Sequence, residues 1–291
     1  MPISGLKYLA FWGCTIPPLQ PHVEKAVKLV CEKLGIELAE PEGMTCCPDP
    51  DISRMASEDY WLATAARNLA LAERAGLDIM TPCNGCYLTF VDALHELGKE
   101  RAKEKASEVL RELGLKLEGR VRVYHLVEVL HDHAGVDRIS GEFVRKLEGA
   151  RVAVHAGCKL LREEEKKLDS KFLRLVELTG VEVVEYGLER MCCGVPLMYL
   201  NPDVAVKTRT KPKLDRMKSA GVDAIVVVCP ACYNQLEKGQ LTLAAEGEEF
   251  GIPVVNVAEL LALCMGYSPD DIGMYLHRIP VDSFLEKIGI S

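Results

Sequence analysis

No apolar run in this sequence approaches the roughly 18 residues of a membrane-spanning helix. Its opening stretch, MPISGLKYLAFWGC, has no basic segment ahead of a long apolar one, so a secretory leader is not expected. Positive charge is in deficit: 35 Lys and Arg face 43 Asp and Glu, a net charge of −8. That disfavours nucleic acid and anionic membrane surfaces as main partners. Neither a G-x-G-x-x-G turn nor a P-loop is present, so flavin, NAD and ATP are not expected on this polypeptide. Aromatics make up only 6%, and the two tryptophans, Trp12 and Trp61, read as core residues. A cytoplasmic chain is what these absences leave. Its 291 residues suffice for two ordinary domains, and its 48% hydrophobic content suffices for their cores.

Cysteine is the residue in surplus. There are 12, too few for a small disulfide scaffold of this length and more than a reduced compartment needs for packing. Metal binding is the better reading. Cys31 falls on the apolar stripe of Val27, Val30 and Leu34, and Cys264 lies in LLALCMG, so both are expected as buried core thiols. The other ten form two sets of five. In the first, 31 residues separate Cys14 from Cys46, and 35 separate Cys47 from Cys83. In the second, 33 separate Cys158 from Cys192, and 35 separate Cys193 from Cys229. Each set contains a vicinal pair, CCPDP or CCGVP, and ends in C-x-x-C-Y, CNGCY or CPACY.

The flanks repeat as well. YLAFWGC matches VAVHAGC, LGIELAE matches TGVEVVE, and AGLDI matches AGVDA. The chain is an internal duplication. We expect an N-terminal cysteine-rich domain over 1–148 and a C-terminal one over 149–291, joined near Leu147 to Ala150. Each half alternates strand and helix, which predicts a small parallel sheet flanked by helices, the two halves related by a pseudo-twofold axis. Strands are expected at Lys7–Trp12, at IELAE and at Leu77–Thr81, and helices from Pro21 and over about 57–75. The charged segment 99–120 reads as a solvated helix. His125, His131 and His133 read as surface residues on one short helix-like stretch. All five cysteines of each half fall in loops after strands, so they can gather at one sheet edge.

Thiolates suit zinc and iron–sulfur clusters, yet each of those takes four ligands. Five per half exceed the need. A vicinal pair chelates one ion poorly and more easily spans two, which favours a multi-iron cluster with an extra or bridging thiolate. Zinc in one or both halves with a spare cysteine, and redox use of the C-x-x-C pairs, are the alternatives.

These motifs resemble those of the heterodisulfide reductase B-subunit family, which carries the CCG-type cysteine-rich domain in duplicate. The resemblance runs from Cys14 to Cys232, and the tail MGYSPDDIGMYLHRIPVDSFLEK fits it too; only the second vicinal pair is literally followed by glycine, the first by Pro48. It implies two non-cubane [4Fe–4S] clusters, one on Cys14, Cys46, Cys47, Cys83 and Cys86, the other on Cys158, Cys192, Cys193, Cys229 and Cys232. It also implies that a small-molecule disulfide, such as CoM-S-S-CoB or a related compound, is cleaved or formed between them. The partners it implies are the iron–sulfur C subunit and the flavoprotein A subunit of such a complex. His155 and Lys159, flanking Cys158, are candidates for contacting substrate. The competing reading is an iron–sulfur electron-transfer subunit of a dehydrogenase or sulfur-oxidising complex without its own disulfide.

Overall fold

The computed structural model describes residues 5–162 and 166–290; the outer limits of the two expected domains, Met1 and Ser291, lie outside them. Strands β1 (Lys7–Ala10), β2 (Glu37–Ala39), β3 (Ile79–Thr81) and β4 (Val123–His125) form one sheet in the order β2-β1-β3-β4. Strands β5 (Arg151–His155), β6 (Glu182–Val183), β7 (Ala224–Val227) and β8 (Val254–Asn256) form the second in the matching order β6-β5-β7-β8. All pairs are parallel, with Leu9 opposite Ile79 in one sheet and Val152 opposite Ala224 in the other. The inner strands β3 and β7 are buried at every position, as expected where helices cover both faces.

The principal helices are α1 (Pro21–Lys33), α2 (Glu58–Ala75), α3 (Asn84–Glu96), α4 (Glu100–Glu112), α5 (Leu168–Leu178), α6 (Lys211–Ser219), α7 (Pro230–Ala245) and α8 (Val257–Cys264). Helix α1 begins on its proline, whose missing N–H costs nothing in the first turn. Ser57 caps α2 by accepting from the Tyr60 N–H, and Gly76 ends it at φ 68°. That ending explains why β3 begins at Ile79 and not at Leu77: the Leu77 N–H is spent on the Ala72 carbonyl, closing the helix. The strand expected over Lys7–Trp12 likewise stops at Ala10.

Two further expectations change. The charged segment 99–120 is helical only over α4, and it is not merely solvated: Ala106 and Leu110 are buried against Ala66 and Ala70 of α2. The stretch holding three histidines is not one helix. His125 ends β4, and His131 and His133 fall in a wider π-helical turn over Val129–Gly135.

The halves interlock reciprocally. Helix α1, the first long helix of the first half, packs on α8, the last long helix of the second. Helix α5, in the position of α1, packs on the short helix Leu126–Glu128, in the position of α8. One hydrophobic core runs through both sheets, and Leu147 and Ala150 at the join are fully buried within it.

Candidate metal centre

In a sheet of order 2-1-3-4, the chain leaves strand 1 toward one side and strand 3 toward the other. The loops after those two strands diverge and leave a crevice at the carboxyl ends. Gly13-Cys14 and Cys83 follow β1 and β3, and Gly157-Cys158 and Cys229 follow β5 and β7, with two intervening residues after β1 and one after each of the other strands. Cys83 is the N-cap of α3 and Cys229 that of α7, which puts Cys86 and Cys232 in the first turns, facing back. The vicinal pairs Cys46-Cys47 and Cys192-Cys193 come in from irregular loops. Glycine is required beside them: a Cβ on Gly13 would stand 3.0 Å from the Cys86 sulfur, and one on Gly157 2.8 Å from Asn84 Nδ2 and 3.3 Å from the Cys232 sulfur. Both glycines hold positive φ, 71° and 82°.

The ten sulfurs form one continuous row. Cys14 lies beside Cys46, Cys46 beside its neighbour Cys47, Cys47 beside Cys86, and Cys86 beside Cys83. Cys83 then meets Cys229 of the other half. From there the order runs in reverse: Cys229 to Cys232, Cys232 to Cys193 at 3.4 Å, Cys193 to Cys192, and Cys192 to Cys158 at 3.8 Å. The row is a palindrome about the Cys83–Cys229 contact. Its ends are open, with Cys14 and Cys46 exposed and Cys158 and Cys192 partly so, while the six between are buried.

None of these thiols is in a disulfide. Crowding forces them to share protons. Bonds from Cys46 and Cys86 pull the Cys47 thiol down to about 6, and bonds from Cys158 and Cys193 pull Cys192 down well below its ordinary value. Bonds from Cys232 and Cys83 do the same to Cys229. Their donors pay the reverse: Cys14, Cys83, Cys86, Cys158 and Cys232 are all pushed up, and Cys193 to about 12, first by its bond to Cys192. Ten thiolates cannot coexist in this volume without cations to neutralise them, and a soft polynuclear metal centre is what such a donor set fits. Cys31 and Cys264 stand apart, held up to about 12 by burial alone as inert core thiols.

Cross-half contacts frame the row. Asn84 Nδ2 donates to the Ala156 carbonyl at 2.8 Å, and Asn84 Oδ1 accepts from His125 Nε2 at 3.1 Å. Since His125 Nδ1 accepts from the Val127 N–H, its proton sits on Nε2, and burial drives its pKa down to about 3. His125 is therefore a buried neutral strut, not a surface residue. His131 bonds Asp132 at 2.7 Å and His133 bonds the Tyr8 hydroxyl at 2.6 Å, both partly buried.

A mirrored pair of polar chains follows the two C-x-x-C-Y motifs. Tyr233 bonds His22 at 3.1 Å and His277 at 2.8 Å, and His277 bonds Glu259 at 2.8 Å. On the other side Lys166 donates to Tyr87 at 2.9 Å and pairs with Glu128 at 3.4 Å. Nothing local in the sequence signals these chains, since each joins residues far apart along it.

Of the other expected residues, Lys159 forms an ion pair with Asp51, in the loop after the first vicinal pair. Burial lowers its pKa and the Asp51 bond raises it, with a net rise. His155 is fully buried; both its ring nitrogens lack partners among the described residues, and it lies with the Cys193 and Cys232 sulfurs in a group whose ligand atoms are all within 4.8 Å of one another. Trp61 is fully buried under the Arg54 guanidinium, and Trp12 donates to Glu40 at 2.8 Å.

Known proteins resemble this chain. The family model described as "Cysteine-rich domain" (CCG) matches twice, at residues 8–91 and 152–237. The chain is 36% identical to the B subunit of the ferredoxin/F(420)H(2)-dependent CoB-CoM heterodisulfide reductase of Methanosarcina acetivorans, over 97% of each chain. It is also 36% identical to a protein of Archaeoglobus profundus that is itself named as like the heterodisulfide reductase B subunit, over 97% of this chain and 98% of that one. A more distant relative, at 27% identity over 92% of this chain and 95% of that one, is the 8-methylmenaquinol:fumarate reductase membrane anchor subunit of Wolinella succinogenes. Among solved structures, a hypothetical protein from Helicobacter pylori shares the fold, with a TM-score of 0.76 and 17% identity over 95% of this chain and 52% of that one. In the present chain no described helix is long and apolar enough to cross a membrane. With the cysteine-rich domain present twice and both copies contributing to one sulfur row, the chain belongs to the heterodisulfide reductase B-subunit family.

Proposed function

We propose that this chain is the disulfide-handling subunit of a heterodisulfide reductase-type complex. In this reading Cys14, Cys46, Cys47, Cys83 and Cys86 hold one non-cubane [4Fe–4S] cluster, and Cys158, Cys192, Cys193, Cys229 and Cys232 hold the other. The observation that carries it is the palindromic row of sulfurs, buried at its centre and open at both ends. Five sulfurs per half exceed what a simple electron relay or a structural zinc takes up. When bound, the clusters would supply single electrons and iron able to take up sulfur.

The reaction balances as one disulfide, two electrons and two protons giving two thiols. No nucleotide motif lies on this chain, so the electrons come from partner proteins, as the relatives' names as members of larger complexes also suggest. The chain's own residues contribute the setting. Asn84 and the Lys159–Asp51 pair fix the two halves against each other, so that the sulfurs of each keep their positions relative to the other. Lys159 is occupied by Asp51, which leaves it a positioning role and not a free anion-binding one. Met55, Tyr199 and Leu200 are among the large apolar side chains exposed to solvent, and Tyr199 feels the charges of Cys14, Cys46, Asp49 and Asp51. Tyr199 gives a substrate an apolar edge beside the open end of the first quintet.

Protein purified without oxygen should contain acid-labile sulfide and more than one iron per half. Titrating the oxidised, iron-loaded chain with a thiol should then change its paramagnetic resonance spectrum. Mononuclear metal alone would overturn the proposal. Loaded clusters whose spectrum ignores thiols and disulfides would make the chain an electron relay.

A further inference from the structure

The duplication permits a position-by-position comparison of the two sulfur quintets. Gly13-Cys14 corresponds to Gly157-Cys158, so Phe11 and His155 occupy the same place, two residues before the glycine. Phe11 is ordinary core, edge-on to Phe90 at 4.8 Å. His155 is an imidazole with no exposure and, among the described residues, no partner for either nitrogen. A buried N–H is rarely left unpaired, so it implies a partner that only the bound state supplies. The sulfurs of Cys193 and Cys232 are the groups gathered with it.

A second difference points the same way. Gly76 and Gly221 end the matching helices α2 and α6 at φ 68° and 67°, and Asn68 and Lys213 each stand eight residues before them. Asn68 is neutral and knits the loop of the first vicinal pair, accepting from the Thr45 N–H at 3.0 Å and donating to the Cys46 carbonyl at 3.1 Å. Lys213 is a fully buried ammonium. It bonds the Leu188 carbonyl and, at 3.2 Å, the Tyr186 hydroxyl, and among the described residues it makes no ion pair with a carboxylate. Burial lowers its pKa to about 8, and the groups whose negative charge would favour its ammonium are the Cys193 and Cys232 sulfurs and, beyond ion-pair distance, the Glu189 carboxylate. With no carboxylate in ion-pair contact among the described residues, thiolate charge on the adjoining quintet would stabilise this buried ammonium directly.

Resting on the cluster-binding reading above, we propose that the two metal centres are electronically unequal: His155 donates a hydrogen bond to the thiolates of the C-terminal quintet, Lys213 adds a facing positive charge, and that centre is reduced at the more positive potential. Reduction adds negative charge to a centre, and hydrogen bonds to its sulfurs together with a nearby cation stabilise the added charge. At the matching places the N-terminal half has Phe11 and Asn68, which carry neither an imidazole N–H nor a charge. Electrons entering from a partner therefore settle first on the C-terminal side.

The test is a redox titration of the full iron-loaded chain followed by paramagnetic resonance. The wild type should show two separate one-electron steps, and Cys193→Ala should delete the more positive one. His155→Phe and Lys213→Met should each shift that step toward the other by a tenfold change in the reduced-to-oxidised ratio, about 59 mV for one electron. Iron and sulfide content should stay constant, and Phe11→His should raise the other step. Should His155→Phe fail to load iron, the Lys213→Met shift decides. Loaded variants with unmoved steps, or loss of the more negative step in Cys193→Ala, would overturn the inequality and leave cluster binding intact. A wild type with no iron–sulfur centre would overturn both.

Discussion

Set side by side, the two halves of this chain agree in every element that positions sulfur and differ in what lies around it. Both place Gly-Cys after the first strand and C-x-x-C at a helix start after the third, with strand orders that match term by term. Yet at matching positions the first half has Phe11, Asn68 and Asn84 where the second has His155, Lys213 and Pro230. The second vicinal pair is followed by Gly194 at φ 111°, where a Cβ would stand 3.0 Å from that of Arg209; the first is followed by Pro48, whose carbonyl accepts from Thr89 at 2.7 Å. Duplication fixed the backbone and the sulfur count, and the neighbouring side chains were then free to diverge. Symmetry of scaffold is thus no guide to equality of chemistry.

The sharpest way to break the comparison is at the sulfurs. Cys193→Ala should abolish disulfide turnover and empty the second half of iron while the first keeps its own; Cys47→Ala should do the converse. Iron and sulfide analysis beside a turnover assay reads both, and unchanged turnover in Cys193→Ala would discard the proposed chemistry.

Next in size are the buried carboxylates. Glu259 and His277 form an ion pair with 0% and 1% of their side chains exposed, whereas the Glu128–Lys166 pair in the mirrored position is 11% and 37% exposed. Removing one partner of a buried pair costs about 3–5 kcal/mol. Glu259→Gln should therefore lower the denaturation midpoint much more than Glu128→Gln. The pH dependence has a definite sign. Interaction with His277 overcomes burial to lower Glu259, so its contribution is present above the ordinary 4.5 and lost as pH falls through the lowered value. Burial opposes the charge on His277, but Glu259 raises it on balance, so its contribution is complete below 6.5 and lost as pH rises through the raised value. The gap between wild type and Glu259→Gln should be widest between these two pH values and narrow on either side.

A smaller effect is expected at Asn84→Ala, which strands the Ala156 carbonyl and the His125 N–H at a cost of about 1–3 kcal/mol. Urea melts would register it, and a null result would mean that the strut between the halves carries no load. The smallest belongs to the surface. Lys105 pairs with Asp59 at 2.8 Å between exposed side chains, and Lys105→Ala should cost about 0.2–1 kcal/mol, less at high salt.

How much of this was legible beforehand follows from what each signal encodes. Cysteine spacing, glycine position and apolar alternation are local, and they located the duplication, most strands and the sulfur-bearing loops. The buried role of His125 was not local. The run YHLVEVLHDH reads as one helical stretch, and only the pairing of β4 with β3 shows that the strand ends on His125 with Asn84 beside it. Lys213 looked like one cation among several in KTRTKPKLDRMK; its burial depends on how α6 packs, which periodicity marks only as a face. The reciprocal seating of α1 on α8 and the polar chain from His22 to Glu259 join residues from opposite ends of the sequence, beyond the reach of any window. His155 was singled out from its place beside Cys158, and its facing Cys193 and Cys232 became visible only with the second vicinal loop in position.

The join between the halves has one more implication. Leu147 and Ala150 lack any solvent exposure, and the Leu147 N–H is tied to the Thr179 carbonyl at 2.8 Å. A clamshell motion about that point would tear open a packed interior, so the molecule has no hinge there. On the proposed function, a small-molecule disulfide would reach the sulfurs sideways, past Cys14 and Cys46 or past Cys158 and Cys192, the two ends of the row that solvent touches.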